Sequence, residues 1–418
     1  MFKTVSGCNL DCNYCYYRRS VAGSGPAMHV RRDVIEAFMP AYMRHVADSH
    51  QASLSWQGGE PTLAGLDFFR EAVSTEARFA IPPMSINNAL QTNGVLIDDT
   101  WAEFLAEYNF LVGVSLDGPE PVHDVTRKDV GGSGSFRRVM GGIRALKRHS
   151  VDTNILCVLT QHNVRRAGEL ADFFLSEGLG YLQFMPGMAF KSSEPQAPAS
   201  YLVSADEYGS FLTELFDLWY GSGVPSFSVR AFNNILQSLL GDGNDLCVHA
   251  EDCHAGLLVE CNGDVYPCDF YIHPHWKLGN VLTHSLEDMA GGAKLREFSL
   301  RKRLLPPTCE KCDYVSLCRG ECPRNRVPAT DGTPGPGYFC ASYKRLFRHS
   351  LPRFRELAGR LANYRRYTQM RKTSGNRMAA PLVGHTGCPC GSGRSYGTCC
   401  GDPALARSYL LRPSDPGD

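Results

Sequence analysis

The sequence has no net charge and no long apolar run. Its 43 Lys and Arg residues balance 43 Asp and Glu residues, so composition indicates neither a nucleic acid nor an anionic membrane as partner. No apolar stretch approaches the length that a membrane span requires. The first residues also lack the charged and then apolar pattern of a signal peptide. These absences predict a cytoplasmic protein.

Cysteine, by contrast, is abundant, with 17 residues in a chain of 418. Cytoplasmic thiols stay reduced, so cysteines that cluster in tight groups are expected to be metal ligands and not disulfides. With 43% hydrophobic residues, the chain is long enough to build two or three globular domains.

The first cysteine group has the spacing C-x3-C-x2-C and consists of Cys8, Cys12 and Cys15, with Tyr14 just before the last thiol. Three thiolates can hold three irons of a [4Fe–4S] cluster, which leaves the fourth iron open to an external molecule. A zinc site would need a fourth ligand, and no Cys or His lies nearby in the sequence. The spacing therefore predicts an iron–sulfur site with one open iron.

Helical and strand patterns alternate after this loop. Strands are predicted at residues 2–5, 52–56, 85–90, 110–116, 153–159 and 181–185. Helices are predicted at 34–46, 67–79, 98–108, 136–149 and 167–176, followed by 205–220 and 229–240. Six such alternations predict parallel βα units and a partial (β/α)6 TIM-like barrel. Ligands bind such sheets at the carboxyl ends of the strands.

Candidate ligand-binding motifs follow three of these predicted strands. Gly58 and Gly59 let the backbone approach a ligand closely, and Glu60 adds a carboxylate. The segments 91–94 and 115–118 end the next two strands, and Arg127 follows soon after. Each alone could be ordinary turn chemistry, but together they predict the rim of one cavity.

A second cysteine group extends from Cys247 to Cys340 and has nine members. Its core, from Cys309 to Cys322, has the spacing C-x2-C-x5-C-x3-C. Nine thiols exceed by one the number needed for two zinc sites and also for two [4Fe–4S] clusters. Counting therefore leaves both metals open.

Taken together, the motifs resemble the radical S-adenosylmethionine (SAM) superfamily and, in more detail, the anaerobic sulfatase-maturating enzymes. The resemblance extends over residues 1–345 and is carried by Gln57-Gly58-Gly59-Glu60-Pro61, Gln91-Thr92-Asn93-Gly94, Cys268-Asp269-Phe270-Tyr271, Lys277-Leu278-Gly279-Asn280 and Cys318-Arg319-Gly320-Glu321-Cys322-Pro323. It implies oxidation of a sulfatase Cys or Ser to Cα-formylglycine by way of a 5′-deoxyadenosyl radical.

The resemblance also implies roles for single residues. In such enzymes SAM chelates the open iron, and the implied SAM contacts here are Tyr14, Gly59, Glu60, Ser115, Arg127 and Met188. Tyr17 and Gln57 would line the substrate cavity. Asp269 is the predicted general base. It directly follows a cysteine, and it would face the cavity if the second domain covers the barrel.

The second cysteine group resembles a SPASM domain, which carries two auxiliary [4Fe–4S] clusters. The implied ligands are Cys247, Cys253, Cys268 and Cys322 for the first cluster and Cys309, Cys312, Cys318 and Cys340 for the second. Cys261 would remain a free thiol, and Cys157 a core residue in a strand.

The C-terminal segment contains a third cysteine group, Cys388, Cys390, Cys399 and Cys400, with the spacing C-x-C-x8-C-C. It resembles the SEC-C motif, in which four thiolates bind one Zn²⁺. Before it, residues 342–372 predict a strongly basic helix. The predicted domains are 1–240 (radical SAM core), 241–345 (SPASM), 346–384 (basic helix and linker), 385–405 (SEC-C) and 406–418 (disordered tail).

The expected partners are a sulfatase polypeptide and an electron donor such as a flavodoxin or ferredoxin. Two alternatives remain open at this point. A radical SAM/SPASM maturase that crosslinks or otherwise modifies a ribosomal peptide would share the barrel and the auxiliary clusters. A zinc-bound adaptor would account for the C-terminal cysteines without any enzymatic activity.

Overall fold

The computed structural model describes residues 1–17, 27–188, 201–254, 256–327 and 334–373, together with Ser395. Contacts divide the chain into two compact units. The first unit comprises Met1–Asn163, Met185–Val203 and Asp252–Leu304, and the second comprises Val164–Phe184, Ser204–Glu251 and Leu305–Asp418. The domain boundaries predicted at residues 240 and 345 stay predictions.

Strands and helices alternate through residues 2–186, as the sequence predicts. The strands are β1 (Phe2–Lys3), β2 (Gln51–Gln57), β3 (Ser85–Thr92), β4 (Leu111–Ser115), β5 (Thr153–Leu159), β6 (Tyr181–Pro186), β7 (Ser228–Val229), β8 (Leu258–Val259), β9 (Asp264–Tyr266) and β10 (Gly279–Asn280). The helices are α1 (Arg32–His45), α2 (Leu66–Phe79), α3 (Asp99–Glu107), α4 (Glu120–Thr126), α5 (Phe136–Arg148), α6 (Ala167–Ser176), α7 (Ala205–Tyr220), α8 (Arg230–Leu240), α9 (Leu286–Gly291), α10 (Ala293–Leu300), α11 (Pro307–Glu310), α12 (Val315–Cys318) and α13 (Cys340–Thr373).

A largely parallel sheet forms the centre of the first unit. Its strand order is β10-β9-β8-β1-β2-β3-β4-β5. The strands from β8 to β5 pair in parallel, whereas β8–β9 and β9–β10 pair antiparallel. The carboxyl ends of β1 to β5 therefore share one edge of the sheet, where parallel sheets bind ligands.

Side chains on β1 and β2 sort onto opposite faces because successive residues of a strand alternate. Phe2 and Trp56 point toward the helices, and their rings pack with centroids 5.6 Å apart. Phe69 of α2 joins them, with its ring 5.7 Å from that of Trp56. Lys3 and Gln57 are register partners on the two strands, so they share the opposite face.

The second unit has a core of aromatic side chains on three helices. Phe216 and Trp219 of α7, Phe232 of α8 and Phe354 of α13 pack with centroid distances between 4.7 and 6.0 Å. In the same unit, β6 and β7 pair in parallel. The predicted basic helix is confirmed as α13, although it begins two residues earlier than predicted. Its arginines pair with acidic residues of α7, for example Arg353 with Asp217 at 2.7 Å.

Predicted and observed elements differ mainly at their ends. Strand β1 spans only two of the four predicted residues, and the sequence analysis did not predict the short helices α4 and α9–α12. Helix α3 begins one residue after the predicted start, because Asp98 caps it by accepting a hydrogen bond from the Trp101 N–H (2.9 Å).

A buried polar chain links helix α2 to the sheet. Glu76 is 2% exposed, and its Oε2 accepts a hydrogen bond from Asn88 Nδ2 (2.8 Å). Asn88 Oδ1 in turn accepts from Trp56 Nε1 (2.7 Å). Burial raises the pKa of Glu76 from its ordinary value of 4.5 to about 7.

Substitution of Glu76 by Gln should reduce the pH dependence of stability. The folded protein binds the Glu76 proton more tightly than the unfolded chain does. The wild-type free energy of unfolding therefore decreases as pH rises from 4.5 to about 7. The decrease amounts to about 3 kcal/mol at most. Gln does not ionise, so the anaerobic melting temperature of Glu76→Gln should change less with pH over this range than that of the wild type.

Glu103→Gln is the control, because Glu103 is an exposed residue of α3. Its melting temperature should depend on pH as that of the wild type does. The prediction would be contradicted if the melting temperature of Glu76→Gln also changed with pH in parallel with the wild type.

Candidate active site

The three thiols of the first cysteine group lie close together in the loop after β1. The Cys15 N–H donates to the Cys12 carbonyl (3.1 Å), which closes a tight turn. Burial raises the pKa of the Cys8 thiol to about 11 and that of Cys12 to about 12, and the nearby Cys15 adds to both shifts. Thiolates in such a place need a cation beside them, which a bound metal supplies. This donor set fits an iron–sulfur cluster.

The Gly58-Gly59 turn lies directly against the backbone of the cysteine loop. The Gly59 N–H donates to the Val5 carbonyl (2.7 Å), and the Glu60 N–H donates to the Gly7 carbonyl (2.8 Å). A Cβ at Gly59 would lie 2.1 Å from the Gly7 oxygen, and one at Gly58 would lie 2.3 Å from the Val5 oxygen. Only glycine permits this approach.

Glu60 ties the end of β3 to this turn. Its Oε1 accepts from the Thr62 N–H (3.0 Å), from Thr62 Oγ1 (2.6 Å) and from Thr92 Oγ1 (2.6 Å). Its Oε2 accepts from the Asn93 N–H (2.7 Å). Burial raises the pKa of Glu60, which these hydrogen bonds partly oppose. Among the described residues Oε2 accepts this bond alone, and because a carboxylate oxygen has two lone pairs it can accept from one more donor, such as an ammonium group.

Asp117 brings two of the predicted SAM contacts together. The Tyr14 hydroxyl donates to Asp117 Oδ2 (2.5 Å), and Arg127 Nε donates to the same oxygen (2.9 Å). The Arg127 guanidinium also lies over the Tyr14 ring, 5.3 Å from its centroid. Val158 N–H donates to the other oxygen of Asp117 (2.9 Å). The sequence analysis assigned Asp117 only to the rim of the cavity and missed its role as the shared acceptor.

The remaining predicted SAM contacts lie at strand ends of the same unit. Ser115 is the last residue of β4, and its Oγ accepts from Gln91 Nε2 (3.3 Å). Met188 follows Gly187, whose N–H donates to the Leu159 carbonyl at the end of β5 (2.7 Å). Both positions agree with the expected location of ligands at the carboxyl ends of parallel strands.

Asp269, the predicted base, is held by one ion pair and one hydrogen bond. Lys3 Nζ lies 2.6 Å from Asp269 Oδ1, and the Tyr16 hydroxyl donates to Oδ2. The Lys3 side chain is 1% exposed, and its ammonium lies 4.4 Å from the centroid of the Tyr17 ring. Because Gln57 is the register partner of Lys3, both predicted substrate residues lie near the lysine that binds Asp269.

A second carboxylate, the buried Glu260, belongs to the same cluster and was missed by the sequence analysis. It is 8% exposed, and its Oε1 has no hydrogen-bond partner among the described residues. Burial and the negative charge of Asp269 raise the pKa of Glu260 to about 7, although the positive charge of Lys3 opposes the shift. Neither Lys3 nor Glu260 lies in a motif, so no local signal could have identified them.

Four cysteines of the second unit line one cavity. They are Cys309, Cys312, Cys318 and Cys340, and the remaining wall includes Tyr343, Phe347 and Gly320. In the described part of the chain, no three or more His, Cys, Asp or Glu side chains converge to hold a single metal ion. The four thiols line one cavity, and four thiolates are the donor set that a [4Fe–4S] cluster requires.

The other cysteines fall into three sets. Of the ligands predicted for the first auxiliary cluster, Cys253 and Cys268 belong to the first unit, and Cys247 and Cys322 belong to the second. Cys157 is buried in β5, as predicted, and Cys261 Sγ donates to the Lys3 carbonyl (3.3 Å). The C-terminal cysteines, Cys388, Cys390, Cys399 and Cys400, lie outside the described residues.

Comparison with known protein families identifies two domains. A model of the radical SAM superfamily matches residues 2–174, and a model of the SPASM iron–sulfur cluster-binding domain matches residues 250–313. These matches confirm the predicted fold class. Among the residues that the structure describes, none of the helices combines the length and the apolar content of a membrane span.

Curated relatives and solved structures extend the match over most of the chain. A serine-type anaerobic sulfatase-maturating enzyme of Bacteroides thetaiotaomicron is 35% identical and covers 84% of this chain and 89% of its own length. A cysteine-type enzyme of Clostridium perfringens is also 35% identical, over 85% and 96%. A solved structure of anSMEcpe with bound AdoMet and Cp18Cys peptide matches with a TM-score of 0.78, at 34% identity over 85% of this chain and 97% of that one.

Substitution of Gly59 by Ala should damage the cysteine loop. The new Cβ would lie 2.1 Å from the Gly7 oxygen, so the loop that carries Cys8 must move. We expect anaerobically purified Gly59→Ala to contain about four fewer iron atoms per chain and to bind SAM weakly. Gly141→Ala is the matched control, because a Cβ there meets no atom within 4 Å. Wild-type iron content in Gly59→Ala would contradict the prediction.

Proposed function

Since the chain belongs to the family of anaerobic sulfatase-maturating enzymes, we propose that it oxidises a Cys or Ser side chain of a sulfatase to Cα-formylglycine. Radical SAM and SPASM domains imply iron–sulfur clusters and SAM binding. The observation that carries the proposal is Asp269: a carboxylate whose side chain is 10% exposed, fixed by Lys3 and Tyr16, in the unit that holds the cysteine loop.

We assign the SAM-binding cluster to Cys8, Cys12 and Cys15, and SAM contacts to residues at the strand ends around them. These are Tyr14, Gly59, Glu60, Ser115, Arg127 and Met188. Two observations support the assignment. Asp117 fixes Tyr14 beside Arg127, and Glu60 Oε2 has one acceptor position left, which suits the amino group of SAM.

The auxiliary clusters are assigned to the second cysteine group. Cys247, Cys253, Cys268 and Cys322 would hold the first cluster, and Cys309, Cys312, Cys318 and Cys340 the second. The cavity lined by the latter four thiols supports the second assignment. Because four thiolates leave no iron open, these clusters are suited to electron transfer and not to substrate binding.

The residues of the chain supply position and proton transfer. When bound, SAM would supply the radical that removes a hydrogen atom from the target β-carbon, and the auxiliary clusters would take up the electron that remains. Asp269 accepts the proton of the target thiol or hydroxyl. A Ser target would thereby become the aldehyde directly, whereas a Cys target would become a thioaldehyde, which water would hydrolyse to the aldehyde with release of sulfide. Lys3 and Tyr16 restrict its carboxylate to one orientation, and Tyr17 and Gln57 contact the target segment.

Asp269→Asn tests the general base. Asn has nearly the same shape but is a poor proton acceptor, so the variant should retain all clusters and still form 5′-deoxyadenosine from SAM. Formylglycine formation on a sulfatase peptide should fall by at least about a hundredfold. Mass spectrometry of the peptide and chromatography of the nucleoside measure the two products.

Glu287→Gln serves as the control, because Glu287 is an exposed carboxylate on α9 of the same unit. It should retain both activities. Undiminished formylglycine formation by Asp269→Asn would remove Asp269 as the base.

The target itself is identified by incubating the reconstituted protein with SAM, a reductant and matched peptides that differ only in Cys or Ser at the target position. A flavodoxin or ferredoxin is the proposed physiological donor, and the cytoplasm the proposed location. A crosslinked peptide in place of an aldehyde would favour the peptide maturase over the sulfatase-maturating activity.

The C-terminal cysteines are proposed to form a SEC-C zinc site that docks a partner. Truncation after Gly384 should therefore remove about one zinc atom per chain, leave the iron content unchanged and preserve turnover of a short peptide. Elemental analysis and the peptide assay test this together. If turnover were lost while all clusters remained, the C-terminal segment would belong to the catalytic machinery.

A further inference from the structure

The loop between Cys318 and Cys322 has an unusual backbone. Its three residues, Arg319, Gly320 and Glu321, have φ angles of 53°, 70° and 61°. Only the middle one is glycine, the residue that adopts positive φ without steric cost. Other residues keep such a conformation only where their surroundings hold them in it.

The Glu321 carboxylate provides that hold. The residue is 1% exposed, and its Oε1 accepts from Asn325 Nδ2 (2.6 Å). Its Oε2 accepts from the Phe339 N–H (3.1 Å). Gly337 packs directly on the carboxylate, since a Cβ at this position would lie 2.0 Å from Glu321 Oε2. The side chain therefore joins two segments of the chain that are distant in sequence.

Both segments carry cysteines of the cavity described above. Phe339 directly precedes Cys340, whose N–H donates to the Gly337 carbonyl (3.0 Å). The Glu321 N–H donates to the carbonyl of Cys318 (3.3 Å). Cys318 and Cys340 both line the cavity. The carboxylate thus lies in a short covalent and hydrogen-bonded path between the two cysteines.

We propose that Glu321 is a positioning residue for the second auxiliary cluster, and that its carboxylate holds the segment carrying Cys340 against the loop carrying Cys318. The spacing of these two thiols then depends on a side chain that binds no iron itself. The inference rests on the proposed cluster of Cys309, Cys312, Cys318 and Cys340 and not on sulfatase oxidation.

Three substitutions of Glu321 separate its contributions. Glu321→Ala removes the carboxylate and keeps the unfavourable positive φ. Glu321→Gly also removes the carboxylate but relieves that backbone constraint, so it keeps the loop able to fold. Glu321→Gln retains an oxygen that can accept from the Phe339 N–H. A rotated Asn325 amide can accept from the new Gln Nε2, in exchange for the bond that Asn325 Oδ1 now accepts from Arg324 Nε (3.2 Å).

Full-length protein is purified anaerobically, reconstituted, and analysed for iron, sulfide, the electron paramagnetic resonance spectrum after reduction, and 5′-deoxyadenosine formation. We expect about twelve iron atoms in the wild type and in Glu321→Gln, and about eight in Glu321→Ala and Glu321→Gly. Cys340→Ala, which removes a proposed ligand, serves as the reference for loss of the second auxiliary cluster. Glu321→Ala and Glu321→Gly should lack the same paramagnetic resonance signal as Cys340→Ala, but they should still cleave SAM. Glu310→Ala, an exposed carboxylate beside Cys309, should match the wild type.

Several results would overturn the proposal. One is that Glu321→Gly or Glu321→Ala retains all the iron and an unchanged paramagnetic resonance spectrum. Another is that Glu321→Gln loses as much iron as Glu321→Ala. Loss of SAM cleavage in Glu321→Gly would also overturn it, because the effect would not be confined to one cluster. If the wild type holds only about eight irons and Cys340→Ala removes none of them, the proposed second cluster fails, and the proposal for Glu321 fails with it.

Discussion

The close backbone approach between the cysteine loop and the Gly58-Gly59 turn is the constraint on which the first site depends. Two hydrogen bonds, Gly59 N–H to Val5 and Glu60 N–H to Gly7, fix the loop against the end of β2. The approach leaves no space for a Cβ at either glycine. Glu60 extends the same contact to the end of β3 through Thr92 and Asn93. These contacts connect the cysteine loop, the glycine turn and the edge of the sheet, so the backbone that carries the three thiols is fixed at several points.

Strand β1 contributes to the site through the alternation of its two residues. Phe2 packs among aromatic rings, so Lys3 must point to the opposite face and enter the interior of the unit. A buried ammonium is costly unless it is paired, and Asp269 provides the pair at 2.6 Å. Without Asp269 the Lys3 ammonium would be buried and unpaired, so the two groups are expected to stay in contact. This contact restricts the orientation of the Asp269 carboxylate.

Local signals in the sequence were sufficient for most of the fold and part of the site. The alternation of strand and helix patterns located most elements of residues 2–186, and the C-x3-C-x2-C spacing located the first thiols. Lys3, Glu260 and the shared role of Asp117 escaped prediction because each acts through a residue that is remote in sequence. Lys3 and Asp269, for example, are separated by 266 positions. Strand periodicity and turn motifs describe only neighbouring residues, so they cannot predict a contact between residues so far apart in sequence.

The two cysteine sites illustrate the same physical difference. Cys8, Cys12 and Cys15 come from one short loop, so backbone turns alone bring them together, and their spacing is readable in the sequence. The cavity of the second unit takes Cys340 from a segment far along the chain from Cys318. Such a pair needs a separate connection, and the structure provides one in the Glu321 carboxylate. A spacing motif predicts ligands; it does not predict the side chains that hold distant ligands in register, because any buried donor or acceptor of suitable reach can serve.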